Sequence, residues 1–336
     1  MGRRVVAWGV IRFEHAAKAY PDGTVAVADV SLTAPTGTTT VLVGSSGCGK
    51  TTLLRMVNKM VVPTSGSVWI DDENVADLPS VPLRRRIGYV MQNAGLLPHR
   101  RVAENVATVL LLNGMPGREA RTRALELMEL VGLDASQADR YPHQLSGGQQ
   151  QRVGVARALA TDPNILLMDE PFGAVDPLVR ADLQAELLRI QRELHKTILF
   201  VTHDITEALT LGDRLVILGA GAKIFQQGTP AEVVARPAND FAAAFLGIGG
   251  TLDLHSHSGD FARMAEAINE LAGARAQLQV DDRGLGDGRS RDRLRRQPAG
   301  ARCAGAQCRA HADTKSLSQP KTRGRACGLK SWSITD

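Results

Sequence analysis

Along residues 11 to 235, short apolar runs alternate with stretches in which apolar residues return at helical spacing. Thr39–Gly44 (TTVLVG) has the length of a strand and ends on glycine, and Thr51–Lys59 (TTLLRMVNK) continues as a helix. Ser67–Ile70 and Ile87–Met91 predict two further short strands. Ala103–Leu112 and Glu119–Val131 predict helices, the second with apolar residues at 124, 125, 127, 128 and 131. Gln149–Ala160 predicts another helix, Ile165–Asp169 a buried strand, Leu178–His195 a long helix and Lys196–Thr202 a strand. Strands alternating with helices imply an α/β fold with a mostly parallel sheet covered on both faces. Between about Leu96 and Gln150 strand-like runs are almost absent, which predicts a helical insertion in that core. The texture changes after about Gly250. From Arg283 to Asp336 there are 13 basic and 4 acidic residues, many Gly, Ser and Ala, and one aromatic, Trp332. Such a segment cannot bury much apolar surface, so 251–336 is expected to be a disordered basic tail.

Charge sharpens this division. Of 40 Lys+Arg and 35 Asp+Glu, 15 and 10 fall in 251–336, which leaves 25 of each in 1–250. The main domain is therefore neutral and the net charge of +5 belongs to the tail, which argues against nucleic-acid binding by the folded part. The longest apolar runs, Ile165–Met168 and Ile198–Val201, are far short of the roughly 20 residues that span a bilayer. Met1-Gly2-Arg3-Arg4-Val5-Val6-Ala7-Trp8 carries no long apolar core after its basic residues, so no secretory signal is read and a cytoplasmic location is expected. Any work at a membrane would then require docking onto another chain. The four cysteines, Cys48, Cys303, Cys308 and Cys327, show neither metal-ligand spacing nor a disulfide framework.

The chemistry concentrates at the ends of the predicted strands. Gly44-Ser45-Ser46-Gly47-Cys48-Gly49-Lys50-Thr51 fits the phosphate-loop pattern G-x-x-x-x-G-K-[ST], with a strand before it and a helix after it. Its glycines let backbone N–H groups turn toward a phosphate, and the helix N-terminus adds partial positive charge. Lys50 would reach the β- and γ-phosphates and the Thr51 hydroxyl would ligate Mg²⁺. Cys48 lies beside Lys50 at that helix start, a setting that favours the thiolate and predicts that a thiol reagent blocks ATP binding. The bland alternative is a small residue that points away from nucleotide. Ile165-Leu166-Leu167-Met168-Asp169-Glu170-Pro171 brings two carboxylates to a strand's C-terminal end, where parallel sheets bind ligands. There Asp169 would hold Mg²⁺ and Glu170 would polarise the attacking water. Gln92 and His203 end two further strands. Taken alone, the first reads as a surface amide and the second as a structural histidine. With the constellation, Gln92 would contact Mg²⁺ or the water, and His203 the γ-phosphate and Glu170.

Leu145-Ser146-Gly147-Gly148-Gln149-Gln150-Gln151-Arg152 supplies a good N-cap and bare N–H groups at a second helix start. One phosphate chain cannot easily use both helix starts of a single chain, so a head-to-tail dimer is expected, each Ser146 completing its partner's site. LSGGQ after a phosphate loop, followed by ILLMDEP, resembles the ABC transporter ATPases. The resemblance covers about residues 11–246. It implies an ABC-type P-loop NTPase fold with an inserted helical sub-domain (about 96–150) and an antiparallel β edge, with ATP and Mg²⁺ as cofactors. It also implies a homodimer docked on an integral membrane permease at the cytoplasmic face of the inner membrane. In register, Gln92 matches the family's Q-loop glutamine, His203 its switch histidine, Asp176 its D-loop aspartate and Tyr20 the aromatic that stacks on adenine. Thr52, Ser146, Gly147, Gly148 and Gln149 join the nucleotide contacts.

Finer stretches are similar to the subgroup that imports glycine betaine, carnitine, choline or proline betaine, served by a solute-binding protein. They are Leu83–Gln92, Leu97–Asn105, Arg140–Leu145 and Met168–Pro177. Importers of amino acids, methionine or sulfonates share parts of them, and an exporter ATPase is the further alternative. Two features depart from the subgroup. Asp71-Asp72-Glu73-Asn74 replaces a turn that usually contains glycine, with no consequence expected. The segment 251–336 does not resemble the paired CBS domains that many members carry; decay or disorder is expected there, with contact to anionic lipid or a small domain as the alternatives.

Overall fold

The computed structural model describes residues 9–173 and 175–247; the expected tail, 251–336, and its three cysteines lie outside them. The described residues open with strands β1 (Ile11–Ala19), β2 (Val25–Ala34) and β3 (Thr39–Gly44), then helix α1 (Lys50–Val57). Next come β4 (Ser65–Ile70), β5 (Glu73–Asn74), α2 (Ser80–Arg86) and β6 (Ile87–Val90). Helices α3 (Val102–Leu112), α4 (Gly117–Leu130) and α5 (Gly147–Leu159) follow without an intervening strand, where the insertion was expected. The core resumes with β7 (Ile165–Asp169), α6 (Pro177–Leu194), β8 (Thr197–Thr202), α7 (Ile205–Leu211) and β9 (Arg214–Leu218). It ends with β10 (Ile224–Gly228), α8 (Pro230–Ala235) and α9 (Asp240–Phe245).

Two sheets result. The larger has the order β10-β9-β3-β8-β7-β6, parallel except for the edge strand β10. The smaller, β2-β1-β4-β5, is antiparallel. The central parallel strands β3, β7 and β8 are buried at every position because both faces are covered. Alternation divides their side chains between two cores. Leu42, Leu167, Leu199 and Val201 join the core toward α1 and the antiparallel sheet. Val41, Met168, Ile198 and Phe200 join the core that continues into α3, α4, α5 and α6. The strand that delivers Asp169 is thus clamped from both sides, and its C-terminal end is fixed in space.

The Asp71-Asp72 turn is not inert. Asp71 joins β4 to β5 in the left-handed region (φ 53), which a short polar side chain tolerates. Its carboxylate accepts from the backbone N–H groups of Gly9 (3.0 Å) and Val10 (2.9 Å), tying the chain just before β1 to this hairpin. Among the described residues, no helix is long and apolar enough to cross a membrane.

Candidate functional site

β3 runs into the loop 45–49 and α1 leaves it. Gly49 is the N-cap of α1 at φ 108, a conformation that penalises any side chain, and a Cβ there would collide with the Ala26 carbonyl. No side chain caps this helix start, and its first turn holds no acidic residue. Its orphan N–H groups and dipole therefore face the loop without local neutralisation, as an anion site requires. The buried Lys50 curls over the loop, its Nζ donating to the carbonyls of Gly44 (2.7 Å) and Ser45 (2.8 Å). An open pocket here is lined by Ala26, Ser46, Gly47, Gly49, Lys50, Thr51, Thr52 and Glu170.

Beneath the loop, the Thr51 hydroxyl donates to Asp169 Oδ1 (2.8 Å). The other carboxylate oxygen accepts from the Tyr89 hydroxyl (3.1 Å), with the Arg55 guanidinium 3.7 Å away. Burial pushes the Tyr89 phenol up from its ordinary value, against a hydrogen bond with Arg55 that draws it down. It therefore stays a neutral donor to Asp169. A hydroxyl and a carboxylate oxygen this close are hard donors in small number, which suits a Mg²⁺ ion that retains much of its water. Glu170 continues the ladder past β7, its N–H donating to Val201 O (2.9 Å), and then reverses the chain at φ 45. That left-handed turn costs roughly 1–2 kcal/mol for a residue with a Cβ. The turn brings the carboxylate to the loop's pocket. There Oε2 lies 3.1 Å from His203 Nδ1 and 3.5 Å from Gln92 Nε2.

The structure therefore unites Lys50, Thr51, Thr52, Asp169, Glu170, Gln92 and His203. The contact that Gln92 makes is with Glu170. Its loop is strapped to α5, because Arg157 donates to the carbonyls of Gly95 (2.6 Å) and Ala94 (2.5 Å). At the start of α5, Ser146 Oγ accepts from Gln149 N (3.3 Å) while Gln149 Oε1 accepts from Ser146 N (3.0 Å). This reciprocal cap leaves the hydroxyl proton of Ser146 free to donate elsewhere. Ser146, Gly147, Gly148 and Gln149 do not line the pocket at the phosphate loop, and neither do Tyr20 or Asp176. Tyr20 is exposed beyond β1, with the Lys18 ammonium 5.4 Å from its ring centre.

Burial bears on the two readings of Cys48. Cys48 is 2% exposed and packs with Leu42, Leu53 and Leu218 in the core behind the loop. Its Sγ lies 4.0 Å from the Lys50 Nζ, but the side chain is too buried to offer a surface to a reagent. In the folded chain Cys48 should resist a thiol reagent for as long as the fold persists. Mass mapping of labelled peptides checks this; labelling at Cys48 as fast as in urea-unfolded protein would contradict the burial. Tyr89 and Arg55 were missed. Tyr89 reads as one more apolar residue of a strand. The available signal was parity: Tyr89 pairs with Leu167, one step along the same face from Asp169.

An ABC transporter family model matches residues 27–173. The choline transport ATP-binding protein OpuBA of Bacillus subtilis (strain 168) is 46% identical over 260 residues, 77% of this chain and 68% of that protein. The glycine betaine/carnitine/choline transport ATP-binding protein OpuCA of the same strain is 48% identical over 238 residues, 71% of this chain and 62% of its own length. The chain thus spans about two thirds of these relatives. Among solved structures, a dimeric post-hydrolysis state of the ATP-binding cassette MJ0796, bound to ADP and Pi, shares 35% identity at a TM-score of 0.60. That similarity covers 66% of this chain and 98% of the cassette. With a phosphate loop, paired carboxylates and a capped LSGGQ helix in the arrangement described, the chain belongs to the ATP-binding proteins of the ABC transporter family.

Proposed function

We propose that this protein is the ATP-hydrolysing subunit of an importer for a small osmoprotectant of the glycine betaine, choline, carnitine or proline type. The observation that carries the hydrolytic part is the Glu170 carboxylate. It sits beside the phosphate loop and is contacted by both His203 and Gln92. In this reading the loop 44–51 and Thr52 bind the phosphates through backbone N–H groups and Lys50, and Tyr20 stacks on adenine. Thr51 and Asp169, with Gln92 nearby, hold Mg²⁺, which neutralises phosphate charge when bound. Glu170 accepts a proton from the attacking water, and His203 and Gln92 keep its Oε2 oriented. Ser146, Gly147, Gly148, Gln149 and Asp176 serve the site of a second copy. The capped start of α5 at Ser146 is a second helix start with bare glycine N–H groups, separate from the start of α1 that the phosphate loop already uses, and that supports this reading.

The homodimer would work on an integral membrane permease at the cytoplasmic face of the inner membrane, fed by a solute-binding protein and without nucleic acid. We take 11–250 as the ATPase domain, with 96–150 as its helical sub-domain and 251–336 as an appended tail. The substrate class rests on the similarity to the choline transport protein OpuBA and the glycine betaine/carnitine/choline transport protein OpuCA, and on the subgroup resemblance of the stretches around the helical insertion. Deleting the gene should abolish uptake of labelled choline or betaine under osmotic stress. Intact uptake of those solutes with loss of amino-acid uptake would reject the substrate and leave the ATPase reading standing.

A further inference from the structure

Arg180 belongs to the first turn of α6, where its N–H donates to the Asp176 carbonyl (2.8 Å). Its side chain turns back toward the end of β8. One guanidinium nitrogen lies 3.4 Å from Asp204 Oδ2 and 3.8 Å from Glu207 Oε1. The other donates to the Val175 carbonyl (3.4 Å), in the loop that carries Asp176. Asp204 caps α7, its Oδ1 accepting from Thr206 N (2.8 Å) and Glu207 N (3.3 Å). Glu207 is 4% exposed and accepts the Thr202 hydroxyl (2.6 Å). Thr202 and Asp204 flank His203, whose ring is against Glu170. A single side chain thus grips the loop of Asp176 and both supports of the His203 turn.

We infer that Arg180 is a positioning residue that couples the loop bearing Asp176 to the turn bearing His203. The inference rests on the assignment of His203 and Glu170 given above. The geometry needs arginine specifically. A planar fork with five donors can serve two carboxylates and a carbonyl together, whereas a lysine ammonium cannot span them. The charge is needed as well. Burial pushes the Glu207 carboxyl up, Asp204 adds to that, and the Thr202 hydrogen bond and Arg180 oppose it. Without the guanidinium, two neighbouring carboxylates lose their shared cation and the turn must relax or take up a proton. Arg180 does not line the phosphate pocket, so its loss should disturb hydrolysis and spare ATP binding.

The test uses the full-length chain as wild type, Arg180→Met, Arg180→Lys, Glu207→Gln and the Arg180→Met/Glu207→Gln double variant. Steady-state hydrolysis, equilibrium binding of a fluorescent ATP analogue and thermal unfolding are measured on each. Arg180→Met should lower kcat by at least about tenfold, with nucleotide affinity within about twofold of wild type. Arg180→Lys should fall between, because it keeps the charge and loses the link to Val175. The double variant should be no slower than the slower single variant, since both act through one network. If Arg180→Met is too unstable to assay, Arg180→Lys decides, with a loss of at least about threefold in kcat at unchanged affinity required. Wild-type kcat in a folded Arg180 variant, a parallel loss of ATP affinity, or additive defects would overturn the inference. Glu170→Gln is the control. Hydrolysis that survives there discards the assignment of Glu170 and His203. An inactive Glu170→Gln beside a fully active Arg180→Met discards only the role of Arg180.

Discussion

Glu170→Gln protein should bind ATP normally and hydrolyse it at least ~10²-fold more slowly than wild type, the scale of a lost general base. It should also run as a dimer with ATP and as a monomer without it. The substitution keeps the side chain's shape at the reversed end of β7. An amide oxygen can still accept from His203 and Gln92, so the turn need not collapse. What disappears is the charge and basicity beside the phosphate loop. Lys50, Thr51 and the uncapped start of α1 are untouched, so nucleotide should stay bound and unhydrolysed. The dimer is expected because the capped start of α5 is a second anion-binding helix start that, in the proposed sandwich, completes the site of another copy. Adding Ser146→Arg should abolish that dimer. Its intrachain cost is that of a lost N-cap, about 1 kcal/mol, too small to unfold the protein. A bulky cation there instead fills the space a phosphate would need. Gel filtration with and without ATP, on Glu170→Gln and on the double variant, reads both effects. A dimer indifferent to Ser146→Arg, or no ATP-dependent dimer at all, would refute the two-helix sandwich.

The residues of this site were legible because each is a polar group at the end of an apolar run. Asp169 and Glu170 have few other reasons to sit at the mouth of a buried strand, and Lys50 stands out by the glycine spacing of the loop between β3 and α1. Gln92 and His203 were weaker signals. A glutamine after β6 and a histidine after β8 are ordinary alone, and only the sheet order brings both to one carboxylate oxygen. Tyr89 was legible only once its strand is paired with β7, and Arg180 was not legible. One hides in an apolar strand and the other is an ordinary helix arginine until the turn after β8 is placed beside it. Of the antiparallel sheet, β4 was read (as Ser67–Ile70), while β1, β2 and β5 escaped for a different reason. In β1 the alternation breaks at His15 (φ 47), where the register to β2 shifts between Phe13 and Ala16. Such a bulge moves later apolar residues to the other sequence parity and erases the two-residue period. α2 was missed because seven residues containing a proline and three arginines show no helical repeat. Of the two readings of Cys48, its burial favours the bland one of a small residue without access to a reagent. The loop's neighbour on the inner side is a core of aliphatic residues, and a small thiol fills it.

Phe200→Ala should cost about 3–5 kcal/mol of folding stability, the range for deleting a buried aromatic ring. Phe200 is fully buried in the middle of β8, beside Val41 on β3 and Met168 on β7, with Phe172 at 5.8 Å between ring centres. β8 is an inner strand, held on both edges by ladders to β3 and β7. The cavity therefore cannot close by moving the strand, and cannot fill by collapse without breaking those ladders. Against a total of roughly 5–15 kcal/mol for a domain, such a loss moves the urea midpoint far. The effect should also reach the chemistry. Phe172 lies two residues beyond Glu170, so it loses an aromatic partner and the reversed turn loses its buttress. Hydrolysis by the fraction still folded should fall more than ATP binding, because Lys50 and the loop 44–51 lie on β3 and α1. Leu112→Ala provides the comparison. Leu112 is 58% exposed at the end of α3, and its loss should change stability by no more than about 0.5 kcal/mol. Urea unfolding of both variants beside wild type checks the difference. A Phe200→Ala midpoint as close to wild type as that of Leu112→Ala would mean that β8 is not the rigid inner strand on which Thr202 and His203 depend.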